Sequence, residues 1–474
     1  MSRIFLLFLL IAPLTALSAD QPNVLFICID DLRAVLGPYG GRAITPNIDR
    51  LAETAAVFTR HYVQYPVCGP SRSSLMSGLR PDSTKVYGNR GTGRIARQPD
   101  KPTLPAHFRN NGYTTLSFGK TYHGLCAEPG CGWSDQPWRP PSGWAAYVEF
   151  PFRGFVSGDA SAWRPAYEIY DGPDRLHNDF QTADKTIQAL EDNRDGPFFI
   201  AAGFYKPHLP FVAPQRFWDL YDGVDLSIEN LGIPQGAGDF AYSYSEIWSY
   251  GVEKDVLFSM DLPPNEQQER HMVRAYFAAV SFIDAQVGRI LDRLDDLGLA
   301  DNTAVVLWGD HGFHLGDHGR WAKHTQFENN MRSPLMVRFP GRQEVTGETR
   351  ALVETVDIYP TLCDFAAIGE PKHLEGASFL PVVSGAVERI KRAAYSQIVP
   401  VRQSSLMGYS VRTQDYRYIE WREREDSSTV ILRELYDHRK DPNEHRSVAG
   451  DLSYATEIER HARLVRQGYT SLED

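Results

Sequence analysis

Short apolar runs separated by polar or glycine-rich turns dominate the pattern of this chain. The clearest runs are rich in β-branched and aromatic residues and lie at 23–29, 113–118, 198–204, 303–308 and 334–339. Continuous apolar runs of this length are typical of strands that are buried on both faces. We therefore expect these segments to form the strands of a central sheet.

Amphipathic segments between the runs predict helices. Thr45-Pro46 suits an N-cap followed by proline at the first helical position, which predicts a helix to about residue 60. From about Glu269, apolar residues recur at alternating four- and three-residue spacing, and Gly298 is a suitable stop. Strands that alternate with helices predict an α/β fold with a mostly parallel sheet sandwiched by helices.

The remaining segments differ from this alternation. Residues 133–179 are rich in Pro, Gly and Trp, which predicts an irregular surface excursion. Near the C-terminus, 409–412 and 417–421 are predicted to be paired strands, and 434–437 a strand that runs into a turn. We therefore expect a main domain over 20–384 and a smaller C-terminal subdomain with an antiparallel sheet over 385–474.

The composition favours a large globular enzyme. The chain has 474 residues, 42% of them hydrophobic, and its net charge is 49 − 60 = −11 without long runs of one sign. This balance argues against a nucleic acid or an anionic membrane as partner. An anionic small substrate stays possible, because a bound cation and a few lysines can invert the local field.

The N-terminus predicts export. Arg3 precedes an apolar stretch at 4–12, and small residues at 16–19 offer a cleavage site. This pattern predicts a signal peptide over 1–19. The apolar stretch is short for a membrane span. We therefore expect the mature protein to be periplasmic or secreted.

The five cysteines fall into three classes. Cys126 and Cys131 lie close together in a loop and could pair in an oxidising compartment. Cys28 and Cys363 lie in apolar runs, which is typical of buried small hydrophobic residues. Cys68 differs from all of them, because it lies in a polar turn beside proline and arginine.

Polar residues collect where four of the predicted strands end. Each group alone would be unremarkable, since such residues commonly cap helices or lie in solvated turns. The carboxyl ends of parallel strands meet in one crevice, so we expect the groups to converge. We expect Cys68 and Lys323 to lie in the same crevice as these strand-end groups. The four strand-end groups are Asp30-Asp31, Lys120 with His123, Lys206 with His208, and Asp310-His311.

The residue types indicate a hard cation and an anionic substrate. Three aspartates suit Ca²⁺ or Mg²⁺, whereas His311 would be an unusual ligand for either ion. Zinc at His314 and His318 is an alternative that the lack of a His-Glu-x-x-His pattern weakens.

Cys68 itself fits such a site poorly as a thiol. Pro70 suggests that Cys68 lies at a helix N-terminus, which together with Arg72 would attract an anion. A thiolate matches a hard cation poorly, so an oxygen-bearing group at position 68 would suit the site better.

The run Cys68-Gly69-Pro70-Ser71-Arg72, continued by Leu75-Met76-Ser77-Gly78, resembles the Cys-x-Pro-Ser-Arg signature of type I sulfatases. The likeness extends from Asn23 to Tyr436-Asp437. It implies an alkaline-phosphatase-like fold and the oxidation of Cys68 to formylglycine, whose hydrate is the nucleophile. It also implies a separate formylglycine-generating enzyme as maturation partner.

Within that family, Lys120-x-x-His123 and Asp310-His311 resemble the iduronate-2-sulfatase branch. The resemblance implies hydrolysis of a sulfate ester on a sulfated saccharide, with the 2-O-sulfate of an iduronate-like uronic acid as the expected substrate. Phe313, His314 and the stretch at 133–179 depart from that pattern, so the sugar pocket is where the likeness is weakest.

The resemblance also assigns roles to the site residues. One Ca²⁺ is expected on Asp30, Asp31, Asp310, His311 and the formylglycine made from Cys68. The two lysines would neutralise the sulfate, His208 would protonate the leaving sugar oxygen, His123 would deprotonate the second hydroxyl, and Arg72 would hold the hydrate. The lysines are Lys120 and Lys323.

Three alternatives remain at this point. The protein could be a sulfatase for another polysaccharide, for example an algal one. It could be a phosphatase or phosphonate hydrolase of the same fold, although such enzymes usually carry Thr or Ser as nucleophile. It could also be a non-catalytic glycan-binding protein that has kept the fold.

Overall fold

The computed structural model describes residues 21–98, 100–143, 145–149, 164–228, 232–242, 245–254 and 256–470. The predicted signal peptide lies outside these residues. The strands are β1 (Asn23–Ile29), β2 (Ala56–Phe58), β3 (His61–Tyr62), β4 (Thr114–Gly119), β5 (Tyr167–Tyr170), β6 (Phe198–Phe204), β7 (Phe211–Pro214), β8 (Thr303–Gly309), β9 (His314–Leu315), β10 (Trp321–Ala322), β11 (Leu335–Arg338), β12 (Gly347–Thr349), β13 (Val353–Glu354), β14 (Ala394–Ile398), β15 (Leu406–Arg412), β16 (Tyr416–Glu423) and β17 (Val430–Asp437).

The α-helices have the following bounds in chain order: α1 (Pro46–Thr54), α2 (Cys68–Ser77), α3 (Pro81–Thr84), α4 (Leu104–Asn110), α5 (Asn178–Asp192), α6 (Gln215–Asp219), α7 (Glu266–Asp296), α8 (Glu328–Met331), α9 (Ile358–Ala366), α10 (Leu380–Val383) and α11 (Ala455–Gln467). Within the described part of the chain, no helix is long and apolar enough to cross a bilayer.

A seven-stranded sheet forms the centre of the molecule, in the order β12-β2-β11-β8-β1-β6-β4. Strands β8, β1, β6 and β4 are parallel neighbours, whereas β11 is antiparallel to β8 and β2. A separate four-stranded antiparallel sheet follows in the order β14-β15-β16-β17. The predicted fold class is confirmed, while the boundary at 384/385 stays a prediction.

Helices cover both faces of the central sheet, which explains the continuous apolar runs. Every residue of β1, β6 and β8 is buried. Alternate side chains of β1 enter different cores, because Leu25 packs in the cluster that contains Phe277 of α7, and Phe26 in the cluster that contains Leu362 of α9. Because both faces of the sheet are covered, these strands have no side that faces solvent and needs polar residues.

Two of the predicted segments need correction. The helix expected to reach residue 60 ends at Thr54, because residues 56–58 pair with β11 and β12 instead. The stretch at 133–179 is not wholly irregular or superficial, because it contains β5 and the start of α5 and buries Trp133 and Tyr170.

Other local predictions are confirmed. Helix α7 begins after an Asn265 capping box and ends at Asp296, and Gly298 follows with a φ of 67°. Strands β15 and β16 pair with Arg412 opposite Arg417. Cys126 and Cys131 form a disulfide, and Cys28 and Cys363 are buried.

Candidate active site

The carboxyl ends of four parallel strands bring the predicted site residues to one edge of the sheet. Asp30-Asp31 follow β1, Lys120 follows β4, and Asp310-His311 follow β8. These strands and β6 are neighbours in the sheet, so their ends lie side by side. Helix α2 begins at Cys68 and points its N-terminus into the same crevice, where Cys68 meets the residues that follow β1 and β8.

Cys68 is surrounded by charged groups. Its Sγ lies 3.3 Å from Lys323 Nζ, 3.3 Å from His311 Nε2 and 3.8 Å from Asp31 Oδ1. Burial and the negative charge of Asp30 hold the pKa of the thiol well above its ordinary value. A protonated thiol is a weak nucleophile, so the encoded cysteine is poorly suited to attack a substrate directly.

Oxygen and nitrogen donors cluster around the sulfur. Ligand atoms of Asp30, Asp31, Cys68 and His208 lie within 4.8 Å of one another, and so do those of Cys68, Asp310 and His311. All these side chains are buried. Such a buried group of carboxylates has the chemistry of a hard divalent-cation site.

His311 presents Nε2 to this cluster. Its Nδ1 donates a hydrogen bond to Gly312 O at 2.8 Å, which fixes the orientation of the ring. Nε2 lies 3.2 Å from Asp31 Oδ1. An imidazole held in this orientation can ligate a cation despite the oxygen preference of Ca²⁺ and Mg²⁺.

Asp31 has a constrained backbone. Its φ is 59°, a left-handed conformation that non-glycine residues rarely adopt. Its N–H donates to Asp310 Oδ1 at 3.0 Å, and its C=O accepts from Tyr276 Oη at 2.7 Å. Two hydrogen bonds from other elements thus fix the direction of this carboxylate.

Arg72 fixes two further carboxylates. Its Nε donates to Asp310 Oδ2 at 2.9 Å and its Nη2 to Asp30 Oδ1 at 3.1 Å, while Nη1 donates to the carbonyls of Lys120 and Thr121. The side chain is fully buried. The contacts make Arg72 a positioning residue for the acidic cluster, and its expected hold on the hydrate stays a prediction.

The centre has a net charge of about −1 before any cation binds. Three carboxylates face three cations, and Glu246 adds a fourth negative charge. A divalent cation would therefore leave the crevice with a net charge of about +1, which suits a sulfate monoester anion. The three pairs of opposite sign are drawn from Asp30, Asp31, Asp310, Arg72, Lys120 and Lys323.

The two lysines remain cationic in this environment. Lys323 Nζ donates to Asp31 Oδ1 at 2.7 Å, and Lys120 forms an ion pair with Asp30. Burial would lower the pKa of each lysine, but the neighbouring carboxylates outweigh it and raise both values. Each lysine is thus a fixed positive charge beside Cys68 or its carboxylate neighbours.

A cavity of about 410 Å³ opens beside the acidic cluster. His123 and His208 both line it, and burial with a neighbouring lysine lowers the pKa of each to about 3. Both imidazoles are therefore neutral before an anion enters. The lining residues are Asn89, Lys120, His123, Arg139, Arg164, Tyr205, His208, Glu246, Ser249 and Tyr250.

Glu246 is a site residue that the sequence did not reveal. Its Oε1 lies 3.4 Å from His208 Nε2 and its Oε2 lies 3.1 Å from Lys323 Nζ. It begins a short 3₁₀ segment (Glu246–Ser249) and does not follow a strand, so the pattern of polar strand ends did not predict it. The only indication in the sequence was a single acidic residue, Glu246, within a stretch rich in aromatic residues.

Lys206, His314 and His318 lie outside the acidic cluster. Lys206 Nζ donates to the carbonyls of His208 and Pro210 at 2.8 and 2.6 Å, so it shapes the loop that carries His208. His314 pairs with Asp317 and Thr325 and, with His318, takes part in none of the metal-capable groups of the described residues. The zinc alternative therefore has no support.

Comparisons with known proteins show which family the chain resembles. Residues 22–368 match the sulfatase family, and residues 316–467 match the C-terminal region of N-sulphoglucosamine sulphohydrolase. A sulfatase of Formosa agariphila is 30% identical over 454 residues, covering 93% of this chain and 85% of the relative. Mouse iduronate 2-sulfatase is 30% identical over 513 residues, covering 92% of each.

Solved structures share the fold. A phosphonate monoester hydrolase of Agrobacterium radiobacter superposes with a TM-score of 0.75 at 23% identity, over 94% of this chain and 95% of that chain. A protein solved with its substrate D-glucosamine-2-N,6-O-disulfate gives 0.73 at 23% identity, over 94% and 97%. At this identity the likeness concerns the fold alone.

Proposed function

The chain belongs to the sulfatase family, and from this premise we propose that it hydrolyses the 2-O-sulfate ester of an iduronate-like uronic acid in a sulfated saccharide. The observation that carries the proposal is the position of Cys68. Its Sγ lies 3.3 Å from both Lys323 Nζ and His311 Nε2, at the N-terminus of α2. A nucleophile at that point would face an anion that is held by a fixed ammonium group and by a cation bound to the carboxylate cluster.

The donor set fits one Ca²⁺ ion. Asp30, Asp31, Asp310 and His311 would hold it together with position 68, and Arg72 and Lys120 already hold two of these carboxylates in place. When bound, such an ion supplies Lewis acidity and a template for the sulfate. Conversion of Cys68 to formylglycine would replace a protonated thiol with an oxygen nucleophile that suits the same ion.

The protein's own side chains supply charge stabilisation and proton transfer. Lys323 and Lys120 are preorganised cations for the sulfate oxygens, in a crevice from which water is largely excluded. His208, held beside Glu246, is placed to protonate the leaving oxygen once the sulfate anion has raised its proton affinity.

His123 is suited to the opposite role. It is neutral, it lines the same cavity, and its buried Nδ1 has no hydrogen-bond partner among the described residues. A neutral imidazole with a free nitrogen can accept a proton from the second hydroxyl of the nucleophile. The two histidines thus divide acid and base work within one cavity.

Two features support a uronic acid as substrate. Iduronate 2-sulfatase from mouse covers 92% of this chain at 30% identity. Arg139 and Arg164 also line the cavity, and guanidinium groups recognise carboxylates well. A sulfated sugar that also carries a carboxylate would therefore match both charges of the cavity.

Export to the periplasm or outside the cell is part of the proposal. The Cys126–Cys131 disulfide fits an oxidising compartment, where extracellular polysaccharides are also accessible.

The substrate proposal is tested with enzyme matured alongside a formylglycine-generating enzyme and supplied with Ca²⁺. Sulfate release would be measured from 2-O-sulfated uronic acid disaccharides, from the same sugars with the carboxylate reduced, and from 6-O-sulfated hexosamine. We expect a preference for the first substrate. Equal or greater release from the carboxylate-free sugars would reject the uronic acid, and faster turnover of an aryl phosphonate than of any sulfate would reject the sulfatase reaction.

A further inference from the structure

An arginine-rich groove of about 920 Å³ lies at the edge of the central sheet that is farther from β4. Its walls are strand β12, Arg60 between β2 and β3, the loop before β14, and the turn between β15 and β16. Six cations and three carboxylates line it. The cations are Arg60, Arg350, Arg389, Lys391, Arg392 and Arg460.

Four of these guanidinium groups have no ion pair and no side-chain hydrogen bond with any described residue, in contrast to most arginines of the chain. Lys391 is neutralised by Glu354 and Asp357, and Arg460 pairs with Glu457 at 3.2 Å. In a protein with a net charge of −11, carboxylate partners are plentiful. The four unpaired groups are Arg60, Arg350, Arg389 and Arg392.

The backbone holds two of these arginines side by side. Phe58 of β2 lies opposite Thr349 of β12, and Thr59 N donates to Thr349 O at 3.1 Å. Arg60 and Arg350 follow directly. Burial lowers the pKa of Arg60, and the positive charges of Arg412 and Arg350 also lower it, against the opposing effect of Tyr62 and Glu328. An anion bound between the two groups would relieve this repulsion.

The groove lies at the carboxyl ends of the strands, as the active site does. Strand β2 is antiparallel to β11, as β8 is, so β2 and β12 run in the direction of β1. Arg60 and Arg350 therefore follow carboxyl ends, as Asp30 does. Four strand spacings separate β12 from β1, which is about 19 Å. A saccharide of a few units can span that distance.

We propose that this groove binds a second sulfated stretch of the polysaccharide whose sulfate ester is hydrolysed at Cys68. Guanidinium groups bind sulfate and carboxylate through paired hydrogen bonds, and four unpaired ones along one groove match the repeating charge of such a chain. The choice of a sulfated saccharide as occupant rests on the proposed function. The anion-binding character of the groove follows from its geometry and charge alone.

The test uses two triple variants with the same change in net charge. R350Q/R389Q/R392Q removes three exposed groove cations, and R175Q/K185Q/R194Q removes three exposed cations on and around α5, which packs against β4 and β6 at the other end of the sheet. Both are made in a Cys68→Ala background, and the salt concentration that elutes each from immobilised heparin is measured. A second set with Cys68 intact gives KM for heparin chains and for a sulfated disaccharide.

We expect the groove variant alone to elute at lower salt, with KM for heparin about tenfold higher, a loss of about 1.4 kcal/mol, and KM for the disaccharide unchanged. Equal elution of both variants and the parent, or no retention of the parent, would overturn the proposal. Equal retention on double-stranded DNA would overturn the saccharide as occupant. Because the elution assay needs no turnover, it stays decisive if no sulfatase activity is found.

Discussion

Lys323 Nζ lies 3.3 Å from Cys68 Sγ while it also holds Asp31 at 2.7 and 3.0 Å. One ammonium group thus contacts both Cys68, the proposed precursor of the nucleophile, and a carboxylate of the proposed cation site. The negative charges of Asp31 and Glu246 hold the pKa of Lys323 well above its ordinary value, because they outweigh burial. The charge that faces an incoming sulfate is therefore permanent.

Replacing Lys323 should impair turnover much more than folding. In Lys323→Met, kcat should fall by about 10²–10³, the usual loss for one preorganised charge-stabilising group. Steady-state kinetics with a sulfated saccharide measures the effect, and Lys185→Met, an exposed lysine, serves as control. A fall of less than about threefold in the Lys323 variant would show that this ammonium group is not part of the reaction.

Glu246 should act through its two neighbours. Glu246→Gln keeps the shape of the side chain but removes the charge that faces His208 and Lys323. We expect kcat to fall about tenfold, the equivalent of one charge-assisted hydrogen bond, with KM changed less. Glu246→Asp should recover part of the loss. An unchanged kcat in Glu246→Gln would show that this carboxylate takes no part in catalysis.

Arg72 should matter for stability as well as for cation binding. Arg72→Met leaves Asp30 and Asp310 without their shared buried cation, which should lower the free energy of unfolding by about 3–5 kcal/mol. Added Ca²⁺ should restore part of it, because a cation replaces the lost charge. Denaturant unfolding with Ca²⁺ and with a chelator measures both effects.

The matched control for Arg72 is Arg50→Met, which breaks the exposed Arg50–Asp292 pair and should cost at most about 1 kcal/mol. If the Arg72 and Arg50 variants lost equal stability, Arg72 would not be the electrostatic centre of the carboxylate cluster.

His61 should make the fold sensitive to acid. Burial lowers its pKa from 6.5 to about 4, while its ring nitrogens contact Ser333 and Thr355. Between these values the unfolded chain binds a proton that the folded chain does not, so stability falls as the pH drops. At pH 5 the loss relative to pH 7.5 is about 2 kcal/mol for this residue.

The measurement is the free energy of unfolding at both pH values for the wild type, His61→Asn and His107→Gln, a variant of a partly exposed histidine. We expect His61→Asn to lose about 2 kcal/mol less than the other two on acidification. The same loss in all three would assign the acid sensitivity to other groups.

The sequence predicted the centre of the fold better than its edges. Strands β1 and β6 were expected at the bounds that the structure has, because a sheet covered on both faces requires continuous apolar runs. Strands β2 and β12 have only three residues each, and their pairing partners, not their own patterns, define them. The predicted helix beyond Thr54 was wrong for that reason.

The site divides in the same way. Residues that directly follow long parallel strands could be placed from the sequence, because such strands share one carboxyl edge. Glu246, Arg139 and Arg164 lie in irregular segments, whose path depends on tertiary packing. Arg72 was found from its motif, but its contacts with Asp30 and Asp310 needed the structure.

The central claim is that Cys68 is the precursor of the nucleophile, and peptide mass spectrometry tests it most directly. The tryptic peptide of residues 61–72 from active enzyme, co-expressed with the maturation enzyme, would be examined for replacement of the thiol by an aldehyde. We predict that the aldehyde fraction rises in proportion to specific activity, and that Cys68→Ala has neither. Full activity from protein in which Cys68 is entirely a thiol would contradict the account.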